Sequence, residues 1–495
     1  MKAYLGIDIG TTNLKAAVFS EDGEMLAYAS RPNINHHPTP DTAEFDVEEI
    51  WANVTECVRE VTGQVDPAII RAVGVSSMAE CGVPLDAEGH PLTPMIAWYD
   101  LRTTGEMQEV DEKIGRRRIY QMTGQFIDPK YGLFKMMWTA RHCPEAKAKM
   151  VHWLSSEDYI LYRLSGEFAT EYTMAGRTLC FDLNTMDWSQ EMLDCAGFSK
   201  DVMPKAYPGG TKIGEVTDAC AAQTGLLAGT AVCTGGHDHC CAAVGVNIFG
   251  RGVVMDSMGT AEALMIATDQ LVLNDDTYNQ HYAVYPHCGK RLFRVLAATA
   301  SPGVTIDWIF RNLGADLEEK AKAEGNTRYN QMEKVCEGRT GRNLLCYPMF
   351  RGTMAKRNAT ATFVQVGDTT ERGDLIQAVL NGLCYEGKRT LDNLERVFGQ
   401  KYDKYRVVGG ISKSDLIMQK KSDVIETHLE VPVNNESACF GAALLSAIGV
   451  GDMVFKDAER FYRCSRSFDP NPAEDYGENY EEYMRLRDAV LAMYP

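Results

Sequence analysis

Two strand–turn–strand units, each with glycine and threonine in the turn, open the two halves of the chain and constrain its fold more than any other feature. In the first, Tyr4–Ile9 is apolar, Gly10-Thr11-Thr12-Asn13 is a turn, and Leu14–Phe19 is apolar again. In the second, Val253–Asp256 runs apolar and then acidic, Met258-Gly259-Thr260-Ala261 turns, and Ala263–Ala267 returns. Apolar runs bounded by glycine and polar residues read as strands. The correspondence predicts two similar α/β domains facing one cleft.

The rest of the chain fits that plan. Glu21-Asp22-Gly23-Glu24 is a hairpin turn into Met25–Ala29, and residues 32–44 hold three prolines and form a loop. Ile50, Trp51, Val54 and Val58 at helical spacing predict a helix over Asp46–Val61. Ile69–Ser76, Cys81–Leu85 and Ala231–Thr234 read as strands, and Cys240–Val246 as a helix of small residues. The glycine-bearing stretch Asn247–Gly252 predicts a boundary, giving domains over 1–248 and 249–495. Beyond it, Tyr405–Val408 is a strand, Gly409-Gly410-Ile411-Ser412 a turn, and Asp415–Val424 and Ser437–Ala447 are helices.

Composition excludes several classes of function. The 495 residues are 45% hydrophobic and 24% charged, as in a globular protein with real cores. No run of 18 apolar residues predicts a membrane span. The chain opens on Lys2-Ala3-Tyr4-Leu5 without a signal-peptide pattern. A protein that wraps a nucleic acid needs a basic face, and a net charge of −18 suggests none. Fifteen scattered cysteines without a C-x-x-C pair read as reduced thiols, so a cytoplasmic location is expected.

A phosphate needs aligned N–H donors and close backbone approach, which glycine and threonine in a tight turn supply. Gly10–Asn13 has this chemistry, with Asp8 ahead as a carboxylate able to hold Mg²⁺ and Lys15 behind; a plain hairpin with a strand-end aspartate is the alternative. Neither the P-loop signature nor the protein-kinase catalytic loop is present. Asp238 follows two glycines at a strand end, where a carboxylate either takes the proton of an attacking hydroxyl or caps the next helix. Its neighbours His237 and His239 would, in extended chain, point away from it. Glu80 sits among apolar residues, which demands a partner: sugar hydroxyls or an arginine.

Seven segments follow one another in order. They are Y-L-G-I-D-I-G-T-T-N-L-K-A-A-V-F, I-A-W-Y-D-L-R (Ile96–Arg102), T-G-Q-F-I-D-P-K-Y-G-L-F-K-M-M-W (Thr123–Trp138), A-T-E-Y-T-M-A-G-R-T-L-C-F-D (Ala169–Asp182), G-G-H-D-H, M-G-T-A-E-A-L, and V-V-G-G-I-S-K-S-D-L-I-M-Q-K-K-S-D-V. Their order and spacing resemble the FGGY carbohydrate kinases over nearly the whole chain.

The resemblance implies an α/β fold of two ribonuclease-H-like (actin-like ATPase) domains around a central cleft, working with ATP and Mg²⁺. It implies Asp8 on the Mg²⁺ side, and Gly10, Thr11, Thr12, Asn13 and Lys15 around phosphate on one lobe. Gly259, Thr260 and Gly303 would serve ATP on the other lobe, with Gly409, Gly410 and Ser412 against the nucleoside. Asp238 would be the general base, and Glu80, Trp98, Asp100 and Lys130 would line the sugar pocket with it.

Departures concern the sugar. Many xylulose kinases carry Met-His where this chain has Ala79-Glu80, and glycerol kinases carry Arg-Glu. The negative charge of Glu80 predicts repulsion of a substrate carboxylate. A small neutral ketose, xylulose foremost, is therefore favoured, with glycerol, a tetritol or a pentitol as the alternative. A non-kinase ATPase or a sugar sensor of the same superfold is the alternative of another class. The expected partner is thus a small molecule, with no nucleic acid and no membrane, and a homodimer is left open.

Overall fold

The computed structural model describes residues 1–247, 252–289, 291–353, 356, 358–433 and 436–494. The expected domain boundary at 248/249 lies outside the described residues.

The first sheet is built from β1 (Ala3–Ile9), β2 (Asn13–Ser20), β3 (Met25–Pro32), β4 (Ile70–Ser77), β5 (Lys212–Glu215) and β6 (Ala231–His237), in the order β5-β6-β4-β1-β2-β3. The second contains β7 (Val253–Met258), β8 (Glu262–Thr268), β9 (Ala283–Pro286), β10 (Phe293–Ala298), β11 (Lys404–Val408), β12 (His428–Pro432) and β13 (Cys464–Phe468), in the order β9-β10-β8-β7-β11-β12-β13. In each sheet the opening strand pairs antiparallel with the next strand and parallel with the strand on its other side. The echo between the two halves is therefore a shared topology of two mixed sheets, as expected.

β1 is buried along its whole length, as a strand covered on both faces requires. Helix α1 (Val47–Thr62) lays Ile50, Trp51, Val54 and Val58 against the first sheet. It starts one residue after the expected Asp46 because Asp46 is its N-cap, accepting the Glu48 N–H at 2.8 Å. Helix α2 (Asp238–Gly245) follows β6 without a loop. In the second half, α3 (Pro302–Asn312) follows β10, α4 (Asp415–Ile425) packs on β12 and β13, and α5 (Ser437–Gly449) lies against β1, β4 and β6 of the first sheet.

That last packing depends on missing side chains. A Cβ on Gly6 would come within 1.9 Å of the Cys439 carbonyl oxygen, and one on Gly74 within 2.1 Å of that of Ala442. Only glycine lets the helix lie this close. No helix among the described residues is long and apolar enough to cross a membrane. All fifteen cysteines are free thiols.

Candidate active site

Asp238 reaches the cleft because β6 ends in two glycines with no room for more. A Cβ on Gly235 would lie 2.0 Å from the Val75 carbonyl oxygen. Gly236 has φ +135°, and its Cβ would meet Glu171 and Thr173 at 2.7 Å. Two bonds hold this turn from beneath: the Gly235 N–H donates to Glu157 at 3.0 Å and the His237 N–H to Thr173 Oγ1 at 2.8 Å.

The chain turns helical at Asp238, so the extended-chain expectation for its neighbours fails. His237 and His239 both face Asp238, with their Nε2 atoms 3.1 and 3.8 Å from its Oδ1 and their rings stacked at 5.1 Å. Oδ1 also accepts the His239 N–H at 2.5 Å. Burial at the cleft floor raises the Asp238 carboxyl to about 6, although the His239 N–H and the positive charges of Arg294 and Arg177 pull the other way. His237 is held neutral by burial, then by His239 and the same arginines; His239 has an exposed ring edge, and the surrounding protein together with the two arginines lowers it to about 4. The donor atoms of His237, Asp238 and His239 come within 4.8 Å of one another. Two arginines acting on that group disfavour a cation there.

Asp8 stands at the end of β1, 7% exposed, and accepts a 3.0 Å bond from the Ser76 hydroxyl. Burial, and then the charge of Asp238, lifts its carboxyl to about 7. A carboxylate so destabilised in its charged form suits a site completed by a cation. Asp8 and Asp238 line one cavity of about 640 Å³ together with Gly409, Gly410 and Ser412. The structure thus gathers two acids and the expected nucleoside turn around a single space. Gly409 has φ +105°, with the Met258 carbonyl oxygen 2.4 Å from where a Cβ would be, so its turn packs directly against the start of the second Gly-Thr turn.

Both Gly-Thr turns sit between the strands expected. The Gly10 N–H closes the first by donating to the Asn13 carbonyl at 3.0 Å, and Thr12 and Asn13 are exposed. Trp98 Nε1 donates to Thr11 Oγ1 at 3.0 Å, and Lys15 is tied to Glu436 at 2.6 Å. Gly303, in the first turn of α3, supports the second turn by donating to the Gly259 carbonyl at 3.1 Å. A Cβ on it would lie 2.7 Å from Gly259 O and from Thr260 Cα.

The sugar side differs from expectation at two residues. Asp100 is 2% exposed, and its oxygens are taken by Arg102, with bonds of 2.7–3.0 Å, and by the Ala43 N–H at 2.7 Å. Its carboxylate fixes the loop beside Trp98 rather than facing a ligand. Glu80 has found the arginine of its two expected partners: its carboxylate is bonded to Arg177. Glu80 also adopts φ +65°, a strained backbone for a residue with a side chain, and the buried Lys135 ammonium holds its carbonyl at 2.9 Å. Burial lowers Lys135 to about 8. Lys130 is partly exposed, its ammonium 5.5 Å from the Tyr131 ring centroid.

Arg177 and Arg294 were missed in the sequence. The G-R-T step in Ala169–Asp182 was the available signal for Arg177, an arginine among small and apolar residues. For Arg294 there was none, since a strand brings it in from the second half of the chain.

Two family models together cover nearly the whole chain. The N-terminal domain of the FGGY family of carbohydrate kinases matches residues 3–245, and its C-terminal domain matches residues 254–450. A gluconokinase of Bacillus subtilis is 26% identical over 492 residues, covering 98% of this chain and 95% of its own. A xylulose kinase of the same organism is 26% identical over 501 residues, covering 100% and 97%. The crystal structure of a xylulose kinase from Rhodospirillum rubrum superposes with a TM-score of 0.88 at 24% identity, covering 99% of each chain, and so shares the fold.

Proposed function

The chain belongs to the FGGY family of carbohydrate kinases, enzymes that phosphorylate sugars or polyols with ATP, and on that premise we propose Asp238 as the general base that readies one substrate hydroxyl for attack on the γ-phosphorus. The observation that carries this reading is the shared cavity of about 640 Å³, which sets Asp238 and Asp8 opposite the Gly409-Gly410 turn.

Phosphoryl transfer rests on positioning and charge stabilisation more than on covalent help. Gly10–Asn13 would cradle phosphate from one lobe and Gly259 and Thr260 from the other, while Gly409, Gly410 and Ser412 border the nucleoside. Asp8 would hold Mg²⁺, usually through water, and the ion would offset phosphate charge. At neutral pH a carboxyl raised to about 6 is ionised yet more basic than an ordinary aspartate. Asp238 can therefore orient a hydroxyl and accept its proton as the bond to phosphorus forms. His237, held neutral, fixes Asp238 Oδ1 without competing as a cation.

A neutral ketose such as xylulose is favoured only where the Glu80 carboxylate is free. Arg177 offsets that charge, so Glu80 no longer selects against an acid. Relatives named for gluconate and for xylulose match at the same 26% identity, and identity does not choose between them. An ADP-release screen across ketoses, polyols and sugar acids tests the reading. Sugar-dependent ADP release is expected, and nucleotide hydrolysis indifferent to every sugar would instead favour a non-kinase ATPase.

A further inference from the structure

Resting on the kinase reading above, we propose that the sugar end of the cleft is built for an acidic sugar, a polyhydroxy carboxylic acid of the aldonate type, whose carboxylate is held by Arg294 and Arg177.

Arg294 is 3% exposed, and its Nε and Nη1 have no hydrogen-bond partner. No carboxylate pairs with it among the described residues. A guanidinium stays charged in any protein environment, and a buried charge without a counter-ion is costly. Arg177 has a carboxylate in Glu80, yet its Nε is also buried without a partner. The two guanidinium carbons lie 5.0 Å each from the ring centroid of Tyr285, so one aromatic ring joins both arginines into a single cluster. Unfilled, rigidly held donors of this kind match the two oxygens of a carboxylate.

The charge count points the same way. Arg177, Arg294 and Lys130 are the cations acting on Tyr285 and His237, and Glu80 and Asp238 are the facing carboxylates. His237 and His239 are neutral, and the further group drawn toward ionisation beside the arginines is Cys240: burial opposes it, but a bond from Cys288 and the charges of Arg294 and Arg177 bring its thiol to about 7, which offsets only part of the positive charge. Burial alone would raise the Tyr285 phenol, but Arg177, Lys130 and Arg294 bring it below its ordinary value. A carboxylate brings both a negative charge and two acceptor oxygens to the vacant donors of Arg294 and Arg177. A neutral sugar would satisfy the donors and leave the charge.

Nucleotide phosphate is poorly placed to be this anion. Arg294 is in register with Ala267 of β8 and Tyr285 of β9, whereas the second phosphate turn precedes Glu262 at the other end of β8. Five residues of strand separate the two ends by about 17 Å. The arginines do act on Asp238 and His239, so the vacant donors lie on the side of the base.

The test compares four- to six-carbon aldonates, the polyols of equal length, and sugar phosphates, by thermal shift without ATP and by ADP release with it. Aldonates are expected to raise the Tm most, and to exceed their polyols in kcat/KM by about a hundredfold or more. Arg294→Gln should lower the ratio of aldonate to polyol kcat/KM by a similar factor. Arg294→Met should raise the Tm of the unliganded protein and abolish the further rise with aldonate, since the unpaired charge is gone. Stabilisation by polyols or sugar phosphates as strong as by aldonates overturns the proposal. So does an Arg294→Gln loss that is equal for both substrate classes. Aldonates that bind without being phosphorylated would leave this inference standing and sink the kinase reading. Turnover of neutral sugars alone, without aldonate binding, would do the reverse.

Discussion

Across one cavity, the charge of Asp238 adds to burial in lifting the Asp8 carboxyl to about 7. The sign has a direct consequence for nucleotide binding. A cation at Asp8 requires the ionised carboxylate, so binding of the Mg-nucleotide releases a proton wherever Asp8 is protonated in the free protein. Affinity for Mg-ADP should therefore be level above about pH 7.5 and fall as pH drops through about 7, approaching tenfold per pH unit. Calorimetric titration in buffers of different ionisation enthalpy reads both the affinity and the proton released. Asp8→Asn should be flat over the same range. A wild-type profile that stays flat down to about pH 5.5 would show that Asp8 is an ordinary carboxylate with no cation to hold.

Asp238→Asn keeps the shape of the side chain and removes its basicity. At pH 8, where Asp8 is ionised with or without the charge of Asp238, we expect kcat to fall by about 10²–10⁴ with the Tm and the affinity for Mg-ADP nearly unchanged. The capping alternative predicts a different outcome. Helix α2 begins at Asp238, with His237 as an N-cap that makes no side-chain bond to the helix, and Asn would substitute well for an Asp that only caps. Steady-state kinetics beside a thermal melt separates the two, because a folded variant with near-wild-type kcat removes Asp238 from the chemistry.

Glu80 and Arg177 form a pair 7% and 8% exposed, and breaking it from one side is the costly direction. Glu80→Ala leaves the Arg177 guanidinium buried without its carboxylate, for an expected loss of about 3–5 kcal/mol. Glu80→Gln retains a hydrogen-bond acceptor and should cost less. Urea denaturation with an unchanged m-value measures both. Equal and negligible losses would mean that solvent reaches the pair and screens it.

The parts of the site that could be read from the sequence are those made by adjacent residues. Gly10-Thr11 and Gly259-Thr260 each lie between two strands that flank them directly, so local pattern was enough to place them. Asp238 was legible for the same reason, as the residue after two glycines at a strand end. Side-chain partners were harder. Glu80 and Arg177 are 97 residues apart, and Arg294 enters from the other domain, so only the packed structure shows their meeting. The family resemblance of Ile96–Arg102 implies a sugar-facing Asp100, yet Arg102, two residues on, folds back onto it. Its carboxylate was satisfied locally, and D-L-R was the overlooked clue. His237 and His239 changed sides because the helix starts at Asp238 rather than at Cys240.

Gly303 offers the most selective probe of the nucleotide side. It is in the first turn of α3, where alanine has no helical penalty, and its φ is not in the left-handed region, so backbone conformation alone would tolerate the change. Space is the obstacle: a Cβ would stand 2.7 Å from Gly259 O and from Thr260 Cα, and 3.2 Å from Thr260 N. All three are backbone atoms of the second Gly-Thr turn, which cannot swing aside as the end of a long side chain would. Gly303→Ala must therefore push that turn or lose the bond from its own N–H to Gly259 O. Cavity-side effects of overpacking typically cost about 1–3 kcal/mol, which corresponds to a rise of roughly 5–150-fold in KM for ATP if the strain is carried by the bound turn. Binding of the sugar substrate, measured without nucleotide, should hold steady, because Glu80, Arg177 and Asp238 belong to the first sheet and its loops, and Arg294 pairs with Ala267 at the end of β8 far from the turn. A variant with wild-type KM for ATP would show that the turn at Gly259-Thr260 does not touch the phosphates. Equal weakening of sugar and nucleotide binding would point instead to a general disturbance of the cleft.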